Sequence, residues 1–213
     1  MRRIVVVGFA LLFTCFVMPS VGMCSDLYRK VNDLMSVEKY DDIIDILTTP
    51  CSEDPLNLRL NILLATAQVE KCALLKNAGD ERYKTLVMAP YRTAVRLHKA
   101  LSGHPELYYI SAKCLWINDS RYRAKKTINK ALKMDVDNVK YLILKGDICC
   151  DIGGRGTDEG FVDSAFDDAQ KAYEKALLLK NDNSIKREIE VKLVDALRKK
   201  AARLKILSAL DQR

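Results

Sequence analysis

Apolar residues recur at three- and four-residue steps along nearly the whole of this chain of 213 residues. Such spacing places the apolar side chains on one face of a helix, where they can pack against a neighbouring element. No segment shows the sustained alternation of apolar and polar residues that marks a strand. Hydrophobic residues make up 49% of the chain, which is enough apolar surface to offset the entropy of ordering it. The sequence therefore predicts an all-α fold.

Breakers divide this periodicity into separate helices. After a shorter pair near the N-terminus, we expect helices at about 56–75, 81–101, 106–117, 120–134, 138–151, 162–180 and 184–210. Gly103 and Pro105 end the second of these, because the two residue types favour the stop and the restart of a helix. The run Gly153-Gly154-Arg155-Gly156 predicts a loop, and we interpret residues 153–160 as a flexible insertion.

The predicted helices form hairpins, and a pattern of small residues returns in their second helices. A small, an apolar and a small residue follow one another at steps of four and then three: Ala124, Ile128 and Ala131, and again Ala169, Tyr173 and Ala176. Small side chains at these steps let two helices approach closely, with a larger side chain fitted between them. The pattern indicates a stack of helical hairpins.

This pattern resembles the tetratricopeptide repeat family. The first helices carry the family's large residue followed by a small one four positions later, as in Tyr108 with Ala112 and Leu142 with Gly146. The resemblance is clearest over residues 105–183, looser over residues 25–55, and poor over residues 56–104, where the helices are too long for the family. It implies a right-handed α-solenoid of about four helical hairpins, with a long C-terminal helix capping the last one.

In tetratricopeptide-like arrays the first helices of successive hairpins line a concave groove that holds peptides or partner helices. The resemblance carries this role to five positions: Tyr109, Lys113, Trp116, Ile143 and Asp147. Aromatic and charged groups at these positions suit a recognition mode that combines an aromatic anchor with charge. Trp116 is the only tryptophan of the chain, and packing between two hairpins is the alternative role for it.

The N-terminus has the order of a secretory signal. Two arginines precede an apolar run, Ile4–Val17, and small residues follow it as far as Gly22. We expect a signal peptide over residues 1–22, cleaved within a few residues of Gly22, and a repeat domain over residues 23–213. Two alternatives stay open: an uncleaved membrane anchor, and a lipoprotein modified at Cys24.

The formal net charge of +7 is unevenly spread, and it falls to +5 without the two arginines of the predicted signal. Residues 23–60 carry a net charge of −4, residues 61–134 a net charge of +9, and residues 135–213 equal numbers of acidic and basic side chains. The excess of positive charge therefore belongs to the middle of the chain.

The predicted helix of 120–134 has the clearest charge pattern of the chain, because its basic residues fall outside its apolar face. We expect a basic surface formed by Arg121, Lys126, Lys130 and Lys133. A solvated outer face is one interpretation, and a surface for an acidic protein, an anionic lipid or a cell-wall polymer is the other. Nucleic acid is not expected as a partner, because the signal directs the chain away from it.

Six cysteines remain after removal of the predicted signal, and an oxidising compartment permits disulfides among them. No Cys-x-x-Cys pair indicates a zinc or redox centre. We expect mostly buried thiols, because free cysteine behaves as a small apolar residue in helical cores. Cys114 and Cys149 are the first pair to test for a disulfide, because they fall on neighbouring parallel helices of the predicted array.

No motif predicts catalysis. His98 and His104 are the only histidines, and neither shares a motif with a nucleophilic serine or cysteine. The glycine-rich run lacks the lysine and the preceding strand of a phosphate-binding loop, and the acidic residues around it lack EF-hand spacing. We therefore expect a non-enzymatic protein with no cofactor and no metal site.

These features together predict an exported, non-catalytic adaptor or scaffold of the bacterial cell envelope, in the periplasm. It would bind a protein or peptide on its concave face, and this partner would be acidic if the basic middle of the chain takes part in binding. One alternative is a lipid- or membrane-anchored accessory subunit of an envelope transport or assembly complex, held by a retained N-terminus or by a lipid on Cys24. An alternative of a different class is an enzyme or small-ligand-binding protein, with a pocket between the helices of 56–104 and the loop of 153–160.

Overall fold

The computed structural model describes residues 21–101, 103–180 and 182–211, so the predicted signal peptide lies almost wholly outside the described residues. The helices of the described part are α1 (Val21–Ser36), α2 (Tyr40–Glu53), α3 (Leu58–Asn77), α4 (Tyr83–Leu86), α5 (Met88–Ala100), α6 (Pro105–Ile117), α7 (Arg121–Met134), α8 (Val139–Arg155), α9 (Glu159–Leu179) and α10 (Asn183–Asp211). These residues include no strand. The prediction of an all-α fold is confirmed.

The helices pack as four successive hairpins. The pairs are α1 with α2, α3 with α5, α6 with α7, and α8 with α9, and the short α4 lies in the connection of the second pair. Each second helix also contacts the first helix of the next hairpin. The long α10 packs on α9 and α8, where the first helix of a fifth hairpin would lie. The predicted solenoid of about four hairpins with a C-terminal capping helix is therefore confirmed.

Local sequence signals set several helix ends. The side chain of Asn57 accepts a hydrogen bond from the backbone N–H of Leu60 at 3.2 Å and so caps α3. Asp158 caps α9 in the same way, with the N–H of Phe161 at 2.7 Å. The turn before α6 uses Gly103 at a φ of +95°, a backbone conformation that favours glycine.

The helix expected over 81–101 is instead divided into α4 and α5 at Val87. Pro90 accounts for the break, because it lacks a backbone N–H and its ring conflicts with the carbonyl four residues earlier. Proline is tolerated in the first turn of a helix, and Pro90 lies in the first turn of α5.

The flexible loop expected over 153–160 is also wrong in the structure. Helix α8 continues to Arg155 and α9 begins at Glu159, so only three residues join them. Gly153 serves close packing, because a Cβ at this position would lie 2.7 Å from Cδ2 of Phe166. Most of the residues expected to form an inserted loop therefore extend α8 and α9 instead.

The small residues of the repeated pattern lie where the helices approach most closely. The six side chains of the two small–apolar–small series are buried: Ala124, Ile128, Ala131, Ala169, Tyr173 and Ala176. Gly146 faces the ring of Tyr173, where a Cβ would lie 2.8 Å from Cδ1. The physical reason proposed for the pattern, close approach of neighbouring helices, agrees with this packing.

Candidate functional site

The first helices of the hairpins line one face of the array, and a groove runs along it. The five residues to which the resemblance gives a groove role line a single recess of about 370 Å³: Tyr109, Lys113, Trp116, Ile143 and Asp147. The N-terminal half of α10 contributes the opposite wall through Ile185, Glu188 and Lys192. We call this surface, built from α6, α8 and α10, the groove.

Trp116 lies at the centre of the groove. Besides the recess of 370 Å³, its side chain lines two further recesses of about 500 Å³ and 190 Å³. The indole is partly buried against the largest core cluster, and one side of it faces the groove. Both roles considered from the sequence therefore meet in one residue, since Trp116 packs between hairpins and also contributes to the groove surface.

Tyr109 forms the floor of the groove. Its side chain is only 4% exposed, and its ring stacks on Tyr141 with the ring centroids 5.5 Å apart. The Lys140 ammonium lies 4.1 Å from the centroid of the Tyr109 ring, a cation–π distance. Burial, followed by the nearby carboxylates of Glu70 and Glu106, raises the pKa of Tyr109 well above its usual value. Tyr109 therefore lines the groove as a nearly buried side chain, and its contact with a partner stays a prediction.

The charged residues of the groove are neutralised within the chain. Lys113 contacts both carboxylate oxygens of Glu70 at 2.5 Å, and Lys192 lies 2.9 Å from Oδ1 of Asp147. The Tyr173 hydroxyl donates a second hydrogen bond to Asp147 at 2.7 Å. Asp147 therefore holds α10 against α8 and α9.

Sequence reasoning missed several residues that shape the groove. Lys140 lies one helical turn before Ile143 on α8, so helical spacing could have found it. Its ammonium pairs with Glu106 at 2.6 Å. The contribution of Lys192 had no such signal, because it depends on how α10 is aligned along the groove.

The predicted basic surface divides into two parts. Lys126, Lys130 and Lys133 are exposed on the outer side of α7, as expected. Arg121 does not share this surface, since its side chain is 15% exposed and lies 2.6 Å from Asp151 and 2.8 Å from Asp119. Its position in the first turn of α7 directs it to α8.

Cys114 and Cys149 are free thiols in the structure, so the disulfide considered from the sequence is not formed there. Both are buried, but in different core clusters, that of Cys114 around α6 and that of Cys149 between α8 and α9. Burial raises the pKa of Cys149 to about 11. Cys72 is buried in the same core cluster as Cys114, and burial followed by Cys72 raises the pKa of Cys114.

The two histidines lie away from the groove, beside α7. The His98 ring packs on Tyr108 with the centroids 4.0 Å apart. Burial, Lys130 and His104 lower the pKa of His98, in that order of effect. Within the residues that the structure describes, no hydrogen bond joins His98 to a serine, cysteine or carboxylate, and the geometry gives no nucleophile–base pair there.

The pocket expected for an enzyme or small-ligand protein corresponds to the recess of about 190 Å³ between α3 and the end of α8. Its volume is below the roughly 300–1,000 Å³ of typical small-molecule sites. Lys76 in its wall donates a hydrogen bond to the carbonyl of Ile117 at 2.7 Å, and Arg155 lies 3.2 Å from Asp151. Neither histidine lines this recess.

Among the described residues, no group of three or more His, Cys, Asp or Glu side chains has an arrangement that could hold a metal ion. None of the described helices combines the length and the apolar character needed to cross a membrane.

The fold and the groove define the class as an all-α array of helical hairpins with a concave face. Comparison with solved structures finds "Crystal structure of MamA" at 14% identity and a TM-score of 0.46, covering 82% of this chain and 96% of that one. "Crystal structure of MamA protein" matches at 14% identity and a TM-score of 0.47, covering 85% and 93%. No protein-family model and no curated protein sequence matches the chain.

Proposed function

We propose that this protein is an exported, non-catalytic adaptor of the bacterial cell envelope that binds a segment of a partner protein in the groove. The observation that carries the proposal is the convergence of Tyr109, Lys113, Trp116, Ile143 and Asp147 on one recess, with Trp116 shared by the two adjoining recesses. The partner is a protein or peptide, because the groove extends across three helices and is open along its length.

The surface chemistry of the groove defines how such a segment is held. Trp116, Ile143 and Ile185 are partly buried and offer apolar contact area, and tryptophan is among the residues that most often dominate binding energy. Because Lys113 and Lys192 already have carboxylate partners, charge in the groove orients a segment more than it attracts one. The partner segment is therefore apolar at its centre.

Export to the envelope rests on the N-terminal sequence alone. The basic start, the apolar run Ile4–Val17 and the small residues up to Gly22 support it. If the N-terminus is retained, or if Cys24 carries a lipid, the same adaptor is a membrane-anchored accessory subunit of an envelope transport or assembly complex.

The test is affinity capture with crosslinking from the native envelope, comparing the wild-type chain with Trp116→Ala. Tyr122→Ala is the matched control, because Tyr122 is an aromatic residue that is 66% exposed on α7, away from the groove. We expect Trp116→Ala to lose the captured partner and Tyr122→Ala to keep it. Equal capture by the two variants would disprove the groove proposal, and the intact mass of the recovered chain tests cleavage and lipidation separately.

The single tryptophan provides a second, direct measurement. A partner segment that covers Trp116 removes water from the indole, so the fluorescence emission shifts to shorter wavelength on binding. Since no other tryptophan contributes to the signal, an unchanged spectrum at saturating partner would place the contact outside the groove.

A further inference from the structure

Two second helices, α5 and α7, contain no acidic residue at all. Their apolar residues are buried in the array, among them Ala94 and Leu97 of α5 and Ile128 of α7. Their cations therefore face outwards, on the side of the molecule opposite the first helices. We call the following exposed residues the basic ridge: Arg92 and Lys99 of α5 and Arg123, Lys126, Lys130 and Lys133 of α7.

The basic ridge differs from the groove in how its charges are matched. Among the residues that the structure describes, no carboxylate forms an ion pair with any of the six cations. The groove lysines, in contrast, each pair with a carboxylate, that of Glu70, Glu106 or Asp147. Between residues 86 and 134 the only acids are Glu106 and Asp119, and both are engaged by other cations. The six cations of the basic ridge are therefore available to an anionic partner.

The ridge is one continuous surface that bridges α5 and α7 over α6. The Lys130 ammonium of α7 lies 5.7 Å from the centroid of the Tyr108 ring, and the same ring packs on His98 of α5. Arg123 of α7 and Tyr91 of α5 also line one recess of about 100 Å³. No residue of α5 or α7 lines the recesses of the groove, so the two surfaces are separate.

The shape and composition of the ridge favour a lipid surface over a single acidic segment. Its cations are spread over the outer side of two helices, where a plane of headgroups can reach them, and are not gathered in a cleft. Apolar side chains lie among them: Tyr91 and Val95 line a shallow depression of about 470 Å³ on α5, and Leu101 is exposed at the C-terminal end of the same helix. Basic residues interspersed with aromatic and aliphatic ones are typical of contacts at headgroup level.

The sequence before α1 would supply a second contribution to membrane attachment if it is retained. Residues 1–20 precede α1 and contain the apolar run Ile4–Val17, so a chain that retained them would carry a hydrophobic segment besides the ridge. One hydrophobic anchor gives only marginal attachment, and a basic patch supplies the second contribution. We propose that the basic ridge docks the protein on an anionic phospholipid surface and leaves the groove open on the opposite face.

The experiment measures partition of the full-length chain, as recovered from cells, onto vesicles in 0.1 M salt. Vesicles of phosphatidylglycerol and phosphatidylcholine are compared with vesicles of phosphatidylcholine alone, and the ratio of the two partition coefficients isolates the electrostatic contribution from any hydrophobic anchor. At about fivefold per basic residue, the triple variant K126Q/K130Q/K133Q should lower this ratio by about 100-fold.

The matched control removes three exposed cations from α10 that form no ion pair with any described residue, as R187Q/R198Q/K205Q. It changes the net charge by the same amount and should change the ratio by no more than about threefold. A ratio near one for the wild-type chain, or equal losses in the two triple variants, would overturn the proposal. Because the three ridge lysines are exposed and make no ion pair in the described part of the chain, both variants should keep the wild-type circular dichroism spectrum.

A polyglutamate competitor distinguishes the other kind of partner. If polyglutamate binds the ridge lysines while phosphatidylglycerol vesicles do not, the ridge is a site for an acidic protein and the lipid proposal fails. Trp116→Ala should partition onto vesicles as the wild-type chain does, so loss of groove binding and loss of ridge binding are separable.

Discussion

Gly146→Ala tests the closest packing in the repeat array. A Cβ at this position would lie 2.5 Å from Cζ and 2.8 Å from Cδ1 of Tyr173, which is well inside van der Waals contact. The ring has little room to move, since Tyr173 is 2% exposed and its hydroxyl donates to Asp147 at 2.7 Å. The added methyl group therefore strains the packing of α8 on α9 and displaces the ring, so that its hydrogen bond to Asp147 is lost.

The expected cost follows from three contributions. Overpacking a core position costs about 1–3 kcal/mol, and loss of a hydrogen bond to a charged acceptor costs about 1.5–3 kcal/mol. Alanine is the better helix former by about 1 kcal/mol, which offsets part of this cost. We expect Gly146→Ala to lower the free energy of unfolding by about 3 kcal/mol.

Gly154→Ala is the matched control on the same helix. Gly154 is exposed, has an ordinary helical backbone, and a Cβ there would meet nothing within 4 Å. Gly154→Ala should therefore raise the free energy of unfolding by up to about 1 kcal/mol, through helix propensity alone. Urea denaturation followed by circular dichroism measures both variants. If Gly146→Ala is as stable as Gly154→Ala, the packing argument is wrong.

Three further outcomes are expected. Lys130→Gln should raise the pKa of His98, measured by NMR titration, because the variant removes a positive charge that lowers it. An unchanged pKa would show that Lys130 does not contribute to the shift. Because folding lowers the pKa of His98 below 6.5, the folded chain binds fewer protons there than the unfolded one. The contribution of His98 to stability is therefore complete above pH 6.5 and is lost as the pH falls towards the folded pKa. His98→Gln should therefore make the midpoint of urea denaturation depend less on pH. Asp147→Asn should cost about 1–2 kcal/mol in the free energy of unfolding, by weakening the contacts to Lys192 and Tyr173, and increased proteolysis within α10 should accompany it. Resistance equal to that of the wild-type chain would show that Asp147 does not hold α10 in place.

The helices and their pairing could be predicted from the sequence, because both follow from local spacing. Helix α7 lies within one residue of its expected bounds, since its apolar face and its ends are encoded in adjacent residues. The break at Val87 was missed although Pro90 signals it, because the apolar periodicity continues across the break. The loop over 153–160 was wrong because glycine has two uses, turning the chain and letting helices approach, and only the facing Phe166 distinguishes them.

The groove could be predicted in its positions but not in its chemistry. The resemblance placed five residues on one surface, because equivalent positions of successive first helices face the same side. It could not show that Tyr109 is the buried floor, since that depends on Tyr141 and Lys140 from the next hairpin. Contacts between hairpins are set by tertiary alignment, which local spacing does not contain.

The packing of the hairpins explains why some cations in the middle of the chain pair with carboxylates in the groove, whereas those on the outer side of α5 and α7 do not. The paired lysines and carboxylates of the groove lie 34 to 45 residues apart in sequence, about one hairpin, as in Glu106 with Lys140 and Asp147 with Lys192. Neighbouring first helices lie side by side, so a lysine on one can reach a carboxylate on the next. The outer residues of α5 and α7 face away from such neighbours, and both helices lack acids. Six cations of residues 61–134 therefore lie on one face of the protein without a carboxylate partner among the described residues, and that face is the one to examine for an anionic partner.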